Sequence, residues 1–191
     1  MKTKILILVV LICFLTISCK ESKKEAVEQE STTETTAITK GQSAVVDNDS
    51  APNALQVAKS LDDFKTLVVA VKAASIEDAL VNVGPLTVFA PVNSAFDKLP
   101  EGTLETLLKP ESKSQLAFIL KNHVAPANYP IKTLEKNVLK NRKLYMASGK
   151  YLEVTKQGGD LYVGGTKILK SVKVSNGWIH VIGDVLVPSD K

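Results

Sequence analysis

The spacing of apolar residues changes along this chain, and that change restricts the fold more than any other feature. Between residues 55 and 124, apolar side chains mostly recur every three or four positions, the period of a helix with one buried face. From residue 144 to residue 187, short segments rich in Val, Ile and Tyr have the pattern of β-strands. Helices followed by strands, without βαβ alternation, predict an α+β domain whose second half forms an antiparallel meander.

Local signals refine the helical half. The short apolar run 86–91 interrupts the helical spacing and predicts one buried strand. Ser112 and Gln115 have the spacing of a capping box, which predicts the start of a helix whose apolar face extends to His123. Pro126 is expected to end this helix because proline interrupts helical hydrogen bonding.

Glycines mark the turns of the second half. The run 157–160 (QGGD) separates two β-favouring segments and predicts a hairpin. Asn176-Gly177 is a stronger hairpin signal, since both residue types tolerate the positive φ angles of a type I′ turn. In the strand that follows, alternation places Ile179 and Val181 toward the core and His180 at a mixed, partly exposed rim.

The N-terminus has the features of a secretory signal peptide over residues 1–18. Lys2 and Lys4 precede an apolar run at 5–17 that is shorter than the roughly 20 residues needed to span a bilayer. The residues LTISC at 15–19 resemble a bacterial lipobox, in which Cys19 would be lipidated and become the new N-terminus. The alternative is a plain signal peptide that happens to contain cysteine.

Composition separates a tether from a domain. Residues 19–51 contain no aromatic residue and are rich in Lys, Glu, Ser and Thr, which predicts a flexible tether. Residues 52–191 are expected to form one domain, with 18 basic and 13 acidic side chains. The basic residues are scattered rather than arranged in an arginine-rich stripe, so no nucleic-acid partner is predicted.

The sequence offers little for catalysis, a cofactor or a metal. It contains no Gly-x-Ser-x-Gly elbow, no phosphate-binding glycine loop and no His-Glu-x-x-His helix. Its two histidines, His123 and His180, have no metal-ligand spacing. We therefore predict that the protein is not an enzyme and that it has no cofactor, no metal site and no catalytic residues.

Two segments resemble the signatures of fasciclin domains. The residues TVFAPVNSAF at 87–96 resemble the first signature, and NGWIHVIGDVLVP at 176–188 resembles the second. Between them, residues 116–124 resemble the family's helix that ends in a Tyr-His pair. The resemblance covers about residues 52–188 and implies a β-wedge of two sheets with several flanking helices. It also implies adhesion or binding of extracellular partners without catalysis.

The sequence departs from the family pattern at three places. Asn122 stands where the tyrosine of the Tyr-His pair is usual, and that pair is linked to integrin binding in animal members. Val92 replaces the usual threonine before Asn93. In the second signature Gly183 occupies the usual acidic position, with Asp184 one place later.

Structural and binding residues follow from these segments. Asn93 is expected in an Asx-turn or helix cap, and the resemblance implies that it also bonds to His123. His123 and His180 are expected to be structural.

The predicted binding surface lies near the end of the helix, where exposed side chains in a loop would act as anchors. Its residues are Asn122, His123, Pro126, Tyr129 and Ile131. Alternatively, Tyr129 and Ile131 simply cover the core.

The sequence as a whole predicts a monomeric envelope lipoprotein with one fasciclin-like domain. It would be held in the outer membrane by lipidated Cys19, at the periplasmic face or the cell surface. There it would mediate adhesion or bind a protein or glycan partner. The alternatives are a structural envelope lipoprotein without a dedicated ligand, or an accessory to a hydrolase.

Overall fold

The computed structural model describes residues 51–81 and 84–188. The signal peptide, Cys19 and nearly all of the predicted tether lie outside these residues, so their assignments stay predictions. Within the described part, the predicted α+β architecture is confirmed: helices surround a six-stranded sheet, accompanied by a small two-stranded sheet. No helix in the described part is long and apolar enough to cross a membrane.

Most helices precede the strand-rich half, as the apolar spacing predicts. Two short 3-10 segments precede α2 and α6, at Asp62–Phe64 and Pro110–Ser112. The α-helices of the described residues are α1 Ala54–Ser60, α2 Lys65–Ala74, α3 Glu77–Val81, α4 Asn93–Phe96, α5 Thr103–Leu107, α6 Lys113–Lys121 and α7 Ile131–Leu139.

Helix α6 begins and ends differently from its prediction. Ser112 closes a 3-10 turn, and its side chain makes no capping bond, so the predicted capping box is wrong. The helix ends at Lys121, before Pro126, because Val124–Ala125 pairs with the strand at 86–91. Sheet pairing rather than proline therefore sets the end of this helix.

The strands are β1 Leu86–Pro91, β2 Val124–Ala125, β3 Leu144–Tyr145, β4 Tyr151–Leu152, β5 Val154–Gln157, β6 Asp160–Val163, β7 Thr166–Val174 and β8 Gly177–Ile182. The large sheet has the order β2-β1-β8-β7-β6-β5, and β3 pairs with β4. The predicted antiparallel meander is confirmed for β5 to β8, which pair in chain order. Strand β1, from the helical half, joins the same sheet parallel to β8, which the meander did not predict.

The hairpin turns divide into two kinds. Gly158 and Gly159 have φ angles of 56° and 95° between paired strands β5 and β6, as a type I′ turn requires. Asn176, in contrast, is not among the residues with positive φ, so the predicted type I′ turn at Asn176-Gly177 is wrong. The turn consists of Ser175 and Asn176, and Gly177 already pairs with Val174.

Two hydrophobic cores lie on opposite faces of the large sheet. The first joins α1, α2 and α6 to residues such as Val88 and Ile179. The second joins α7 and strands β3, β5 and β6 to Phe89 and Ile182. Because β8 is covered on both faces, His180 is fully buried and the predicted position at a rim is wrong.

Candidate functional site

The segments that resemble the two signatures meet at the C-terminal end of α6. Asn122 and His123 follow this helix directly, and both are buried, at 1% and 2% exposure. Strand β1 joins the junction because its Phe89 N–H donates to the His123 carbonyl at 2.8 Å. The chain that follows β8 passes over the same two side chains at Leu186.

Both ring nitrogens of His123 make hydrogen bonds to the backbone. Nδ1 lies 2.9 Å from the Ile119 carbonyl oxygen, which can only accept, so Nδ1 carries the proton. Nε2 then accepts from the Leu186 N–H at 2.8 Å. Burial lowers the pKa of His123 to about 4, against a smaller opposing effect of the bond to Ile119. The imidazole is therefore neutral near pH 7.

Asn122 completes a clamp on the same peptide segment. Its Nδ2 donates to the Leu186 carbonyl at 3.0 Å, and its Oδ1 accepts from the Ser148 hydroxyl at 2.9 Å. Together with His123, it satisfies both backbone groups of Leu186. Asn122 thus connects α6, the β3–β4 hairpin and the C-terminal segment, with its amide nitrogen donating to one and its amide oxygen accepting from the other.

A second set of bonds holds the C-terminal segment beyond β8. Lys98 Nζ donates to the Gly183 carbonyl and to Asp184 Oδ1, each at 2.7 Å. Asp184 Oδ2 accepts from the hydroxyl of buried Thr166 at 2.8 Å. Hydrogen bonds from Lys98 and then Thr166 lower the pKa of the Asp184 carboxyl. The acidic residue that stands one place later than the family pattern therefore has a structural partner.

Buried polar side chains of β1 and β8 hold the loop at 126–130. The Thr87 hydroxyl donates to the Ala127 carbonyl at 2.7 Å and accepts from the Tyr129 N–H at 3.0 Å. His180 Nε2 donates to the Tyr129 carbonyl at 2.7 Å, which leaves Nδ1 to accept from the Ser171 hydroxyl. The backbone of the loop is thus hydrogen-bonded to side chains of both neighbouring strands.

His180 also makes ring contacts within the second core. Its ring stacks with Phe89 at 5.4 Å and with Trp178 at 6.4 Å between centroids. Burial lowers its pKa, against an opposing effect of the bond to Tyr129. Both histidines therefore use both ring nitrogens in hydrogen bonds within the domain.

Asn93 supports a helix, although not through the predicted partner. Its Oδ1 accepts from the Thr66 N–H at 3.0 Å, and its Nδ2 donates to the Asp62 carbonyl at 2.8 Å. It therefore caps the beginning of α2 from a distant point in the chain. The implied Asn93–His123 bond is wrong, because His123 bonds to Ile119 and Leu186 instead.

We expect Asn93→Ala to lower the free energy of unfolding by about 1–3 kcal/mol. The change leaves the Thr66 N–H and the Asp62 carbonyl without this partner. Urea denaturation measures the loss, with Ser94→Ala at the exposed neighbouring position as the control. An unchanged denaturation midpoint in Asn93→Ala would contradict this assignment.

The predicted binding residues divide by exposure. Asn122 and His123 are buried and bonded, Pro126 is exposed, and Tyr129 and Ile131 are half-buried against the second core. Thr87, Ser148 and Ser171 complete the polar junction, but no role was predicted for them. Thr87 begins the segment that resembles the first signature, whereas Ser148 and Ser171 lie in no sequence motif. In the described ranges no group of three or more His, Cys, Asp or Glu side chains is placed to hold a metal ion.

An open groove of about 900 Å³ lies next to the clamp, with Asn122 in its lining. The β3–β4 hairpin forms one side, including Lys150 and Tyr151. The β6–β7 turn at 164–165 and the C-terminal residues Val187 and Pro188 form the other. The lining residues Val187 and Pro188 directly follow Leu186, so a partner bound in the groove would contact residues next to the buried junction.

Comparison with known proteins agrees with this architecture. The Fasciclin domain family matches residues 62–188. Protein sll1483 of Synechocystis is 41% identical over 141 residues, which cover 73% of this chain and 76% of that protein. Transforming growth factor-beta-induced protein ig-h3 of Sus scrofa is 33% identical over 139 residues, which cover 71% of this chain and 19% of that protein.

A solved structure is similar in fold. It is a FAS1 domain pair from the insect cell adhesion molecule Fasciclin I, with a TM-score of 0.50 and 20% sequence identity. The match covers 65% of this chain and 45% of that one. The predicted fold, with helices flanking two sheets, is thereby confirmed.

Proposed function

The chain belongs to the fasciclin domain family, and from this premise we propose that it is a lipid-anchored, non-catalytic binding protein of the bacterial cell envelope. It mediates adhesion by binding protein or glycan partners outside the cell. The observation that carries the proposal is the combination of a rigid, fully bonded junction with an open groove beside it. Among the described residues, every buried side-chain polar atom has a hydrogen-bond partner, so the junction holds the groove in shape rather than offering a reactive group.

The position of the groove suits a tethered protein. The first described residues are bound at one end of the sheet, where the Ser175 N–H donates to the Pro52 carbonyl at 3.1 Å. The groove includes Gly164 and Gly165, at the other end of β7. At about 3.3 Å per residue, the nine residues of β7 separate these ends by about 30 Å. A chain held from its N-terminal side leaves the groove accessible to partners.

The membrane anchor gives a direct test. We expect Cys19→Ala to release the protein from the membrane fraction and to abolish acyl labelling, because the thiol of Cys19 would carry the lipid. Cell fractionation and metabolic labelling with a fatty acid measure the two effects. Cys13→Ala is the matched control and should keep both.

Persistence of Cys19→Ala in membranes with its label intact would contradict the lipid anchor. Protease treatment of whole cells then distinguishes protein at the cell surface from protein at the periplasmic face of the outer membrane, because only surface-displayed protein would be cleaved.

Adhesion is tested with cells that differ only in this protein. Cells expressing the wild-type chain should adhere to an array of glycans and matrix proteins more strongly than deletion cells. Equal adhesion of the two strains, together with a weakened envelope in the deletion strain, would instead favour a structural lipoprotein without a dedicated ligand.

A further inference from the structure

We propose that the groove beside Asn122, together with the adjoining surface of the β3–β4 hairpin, binds an acidic polysaccharide. Tyr151 in the groove and Tyr145 next to it form the sugar-stacking surface, and Lys150 in the groove and Arg142 beside it are the cations. This assignment rests on the proposed function, since it names the partner class of the same groove. Asn122 acts as a positioning residue, because its bonds hold Ser148 and Leu186, which directly precede the lining residues Gly149 and Val187.

The first observation is a pair of exposed aromatic side chains. Tyr145 and Tyr151 are directly opposite each other on β3 and β4, with 47% and 63% of their surface exposed. Their ring centroids are 5.4 Å apart. Exposed tyrosines offer a rigid, amphipathic surface, and the negative face of an aromatic ring attracts the C–H groups of a sugar ring. The two rings are inclined at 57° to each other, so together they form an angled aromatic surface against which a sugar ring can pack.

The second observation is that the hairpin carrying these tyrosines is held firmly. Leu144 and Met146 are fully buried in the second core. Across the turn, the Met146 N–H donates to the Lys150 carbonyl at 2.9 Å, and the Ala147 N–H donates to the Val124 carbonyl at 2.7 Å. A preorganised surface loses little conformational freedom when it binds. The entropic cost of binding is therefore low, and a weakly hydrophobic ligand such as a polysaccharide can still bind.

The third observation is the charge along the groove. Lys143 and Glu153 form an ion pair at 2.8 Å and largely neutralise each other. A smaller groove of about 210 Å³ shares both residues and adds Arg142. Among the described residues no ion pair is recorded for Arg142 or Lys150, and both are available to carboxylates. The continuous surface is therefore basic, which is complementary to an acidic chain.

The experiment measures binding of polygalacturonate to the full-length chain in detergent micelles, with dextran as the neutral polysaccharide. Wild type should bind polygalacturonate more tightly than dextran. The affinity should fall as salt rises from 0.1 to 1 M, because the Debye length shrinks from about 10 to about 3 Å. Equal binding of both polysaccharides, or binding unaffected by salt, would overturn the assignment of an acidic ligand.

Two sets of variants locate the site. The double variant Tyr145→Ala/Tyr151→Ala should bind polygalacturonate at least about tenfold more weakly, the loss typical of aromatic hot spots. Tyr145→Phe/Tyr151→Phe keeps the ring faces and should bind within about twofold of wild type. Wild-type affinity in the alanine variant, with a retained denaturation midpoint, would overturn the stacking surface.

The charge variants are matched in net charge. Arg142→Glu/Lys150→Glu should weaken binding at least about tenfold and reduce its salt dependence. Lys72→Glu/Lys113→Glu makes the same change at exposed positions of α2 and α6, which cover the other face of the sheet, and should leave binding nearly unchanged. Equal losses in the two variants would indicate nonspecific attraction and overturn the assigned site.

Failure of this inference is distinguishable from failure of the proposed function. Cells that adhere through the protein to matrix proteins, while the full-length chain does not bind polygalacturonate, would overturn the glycan assignment alone. A chain that binds polygalacturonate but keeps its membrane association in Cys19→Ala would overturn the lipid anchor alone.

Discussion

Replacing Gly177 by alanine is expected to destabilise the domain by at least about 3 kcal/mol, a severe loss for a single substitution. Gly177 begins β8 with a φ of 147°, opposite Leu86 of the parallel strand β1. A Cβ built there would overlap the Leu86 carbonyl oxygen, so strands β1 and β8 would have to move apart. Urea denaturation of the purified protein measures the change.

Gly165→Ala provides the matched control. Its φ of 85° is also unfavourable for alanine, but no atom lies within 4 Å of the added Cβ. Gly165→Ala is therefore expected to lose only about 1–2 kcal/mol of stability, the cost of holding alanine at a positive φ angle. If both variants lost the same stability, close approach of β1 would not be the reason for glycine at position 177.

Acid is expected to remove about 3 kcal/mol of stability through His123 alone. In the unfolded chain the pKa is near its ordinary value of 6.5, whereas in the native state burial lowers it to about 4. Between these values the unfolded state binds one more proton, so the free energy of unfolding falls by about 1.4 kcal/mol per pH unit as pH decreases. This stabilisation is complete above pH 6.5 and is lost as pH falls toward 4.

Denaturation curves between pH 7 and 5 isolate the histidine effect. Asp62, Glu153 and Asp184 have lowered pKa values as well, but their contribution disappears only as their own unfolded-state pKa values, near 4, are approached. His180 adds to the slope in the same direction, because burial lowers its pKa too.

His123→Gln is the informative variant for this effect. It should be less stable than wild type at pH 7, because the Ile119 carbonyl and the Leu186 N–H lose their native partners. The pH dependence of its free energy of unfolding should nevertheless be smaller, because about one fewer proton is taken up on unfolding. If the free energy of unfolding of this variant changed with pH as steeply as that of wild type, His123 would not be buried in its neutral form.

Local patterns determined what could be predicted about individual elements. The β5–β6 turn forms as expected because Gly158 and Gly159 satisfy its backbone angles without help from the rest of the chain. The same reasoning fails at Asn176, whose side chain accepts from the Ala54 N–H and donates to the Leu80 carbonyl. Asn176 thus serves contacts with α1 and α3, which a hairpin pattern cannot reveal.

The candidate site was only partly visible in the sequence for a related reason. His123 and His180 could be assigned as structural, and Asn122 was identified as a departure from the family. The partner Leu186 could not be found, because it is distant in sequence and uses a backbone group that every residue has. The partner Ser171 could not be found either, because only the register of β7 against β8 places its hydroxyl beside His180.

The sequence by itself determined the class of fold, the order of helices and strands and the family, because apolar spacing, local turns and two ordered signatures all act over short stretches. Only the tertiary structure decided that β8 runs parallel to β1, which buries His180 on a covered sheet face. It also decided that Asn122 and His123 clamp Leu186, beside the groove that Asn122 lines. The physical reason is that these features depend on pairing between residues far apart in the chain. Closing the loop between such residues leaves no pattern in the local sequence.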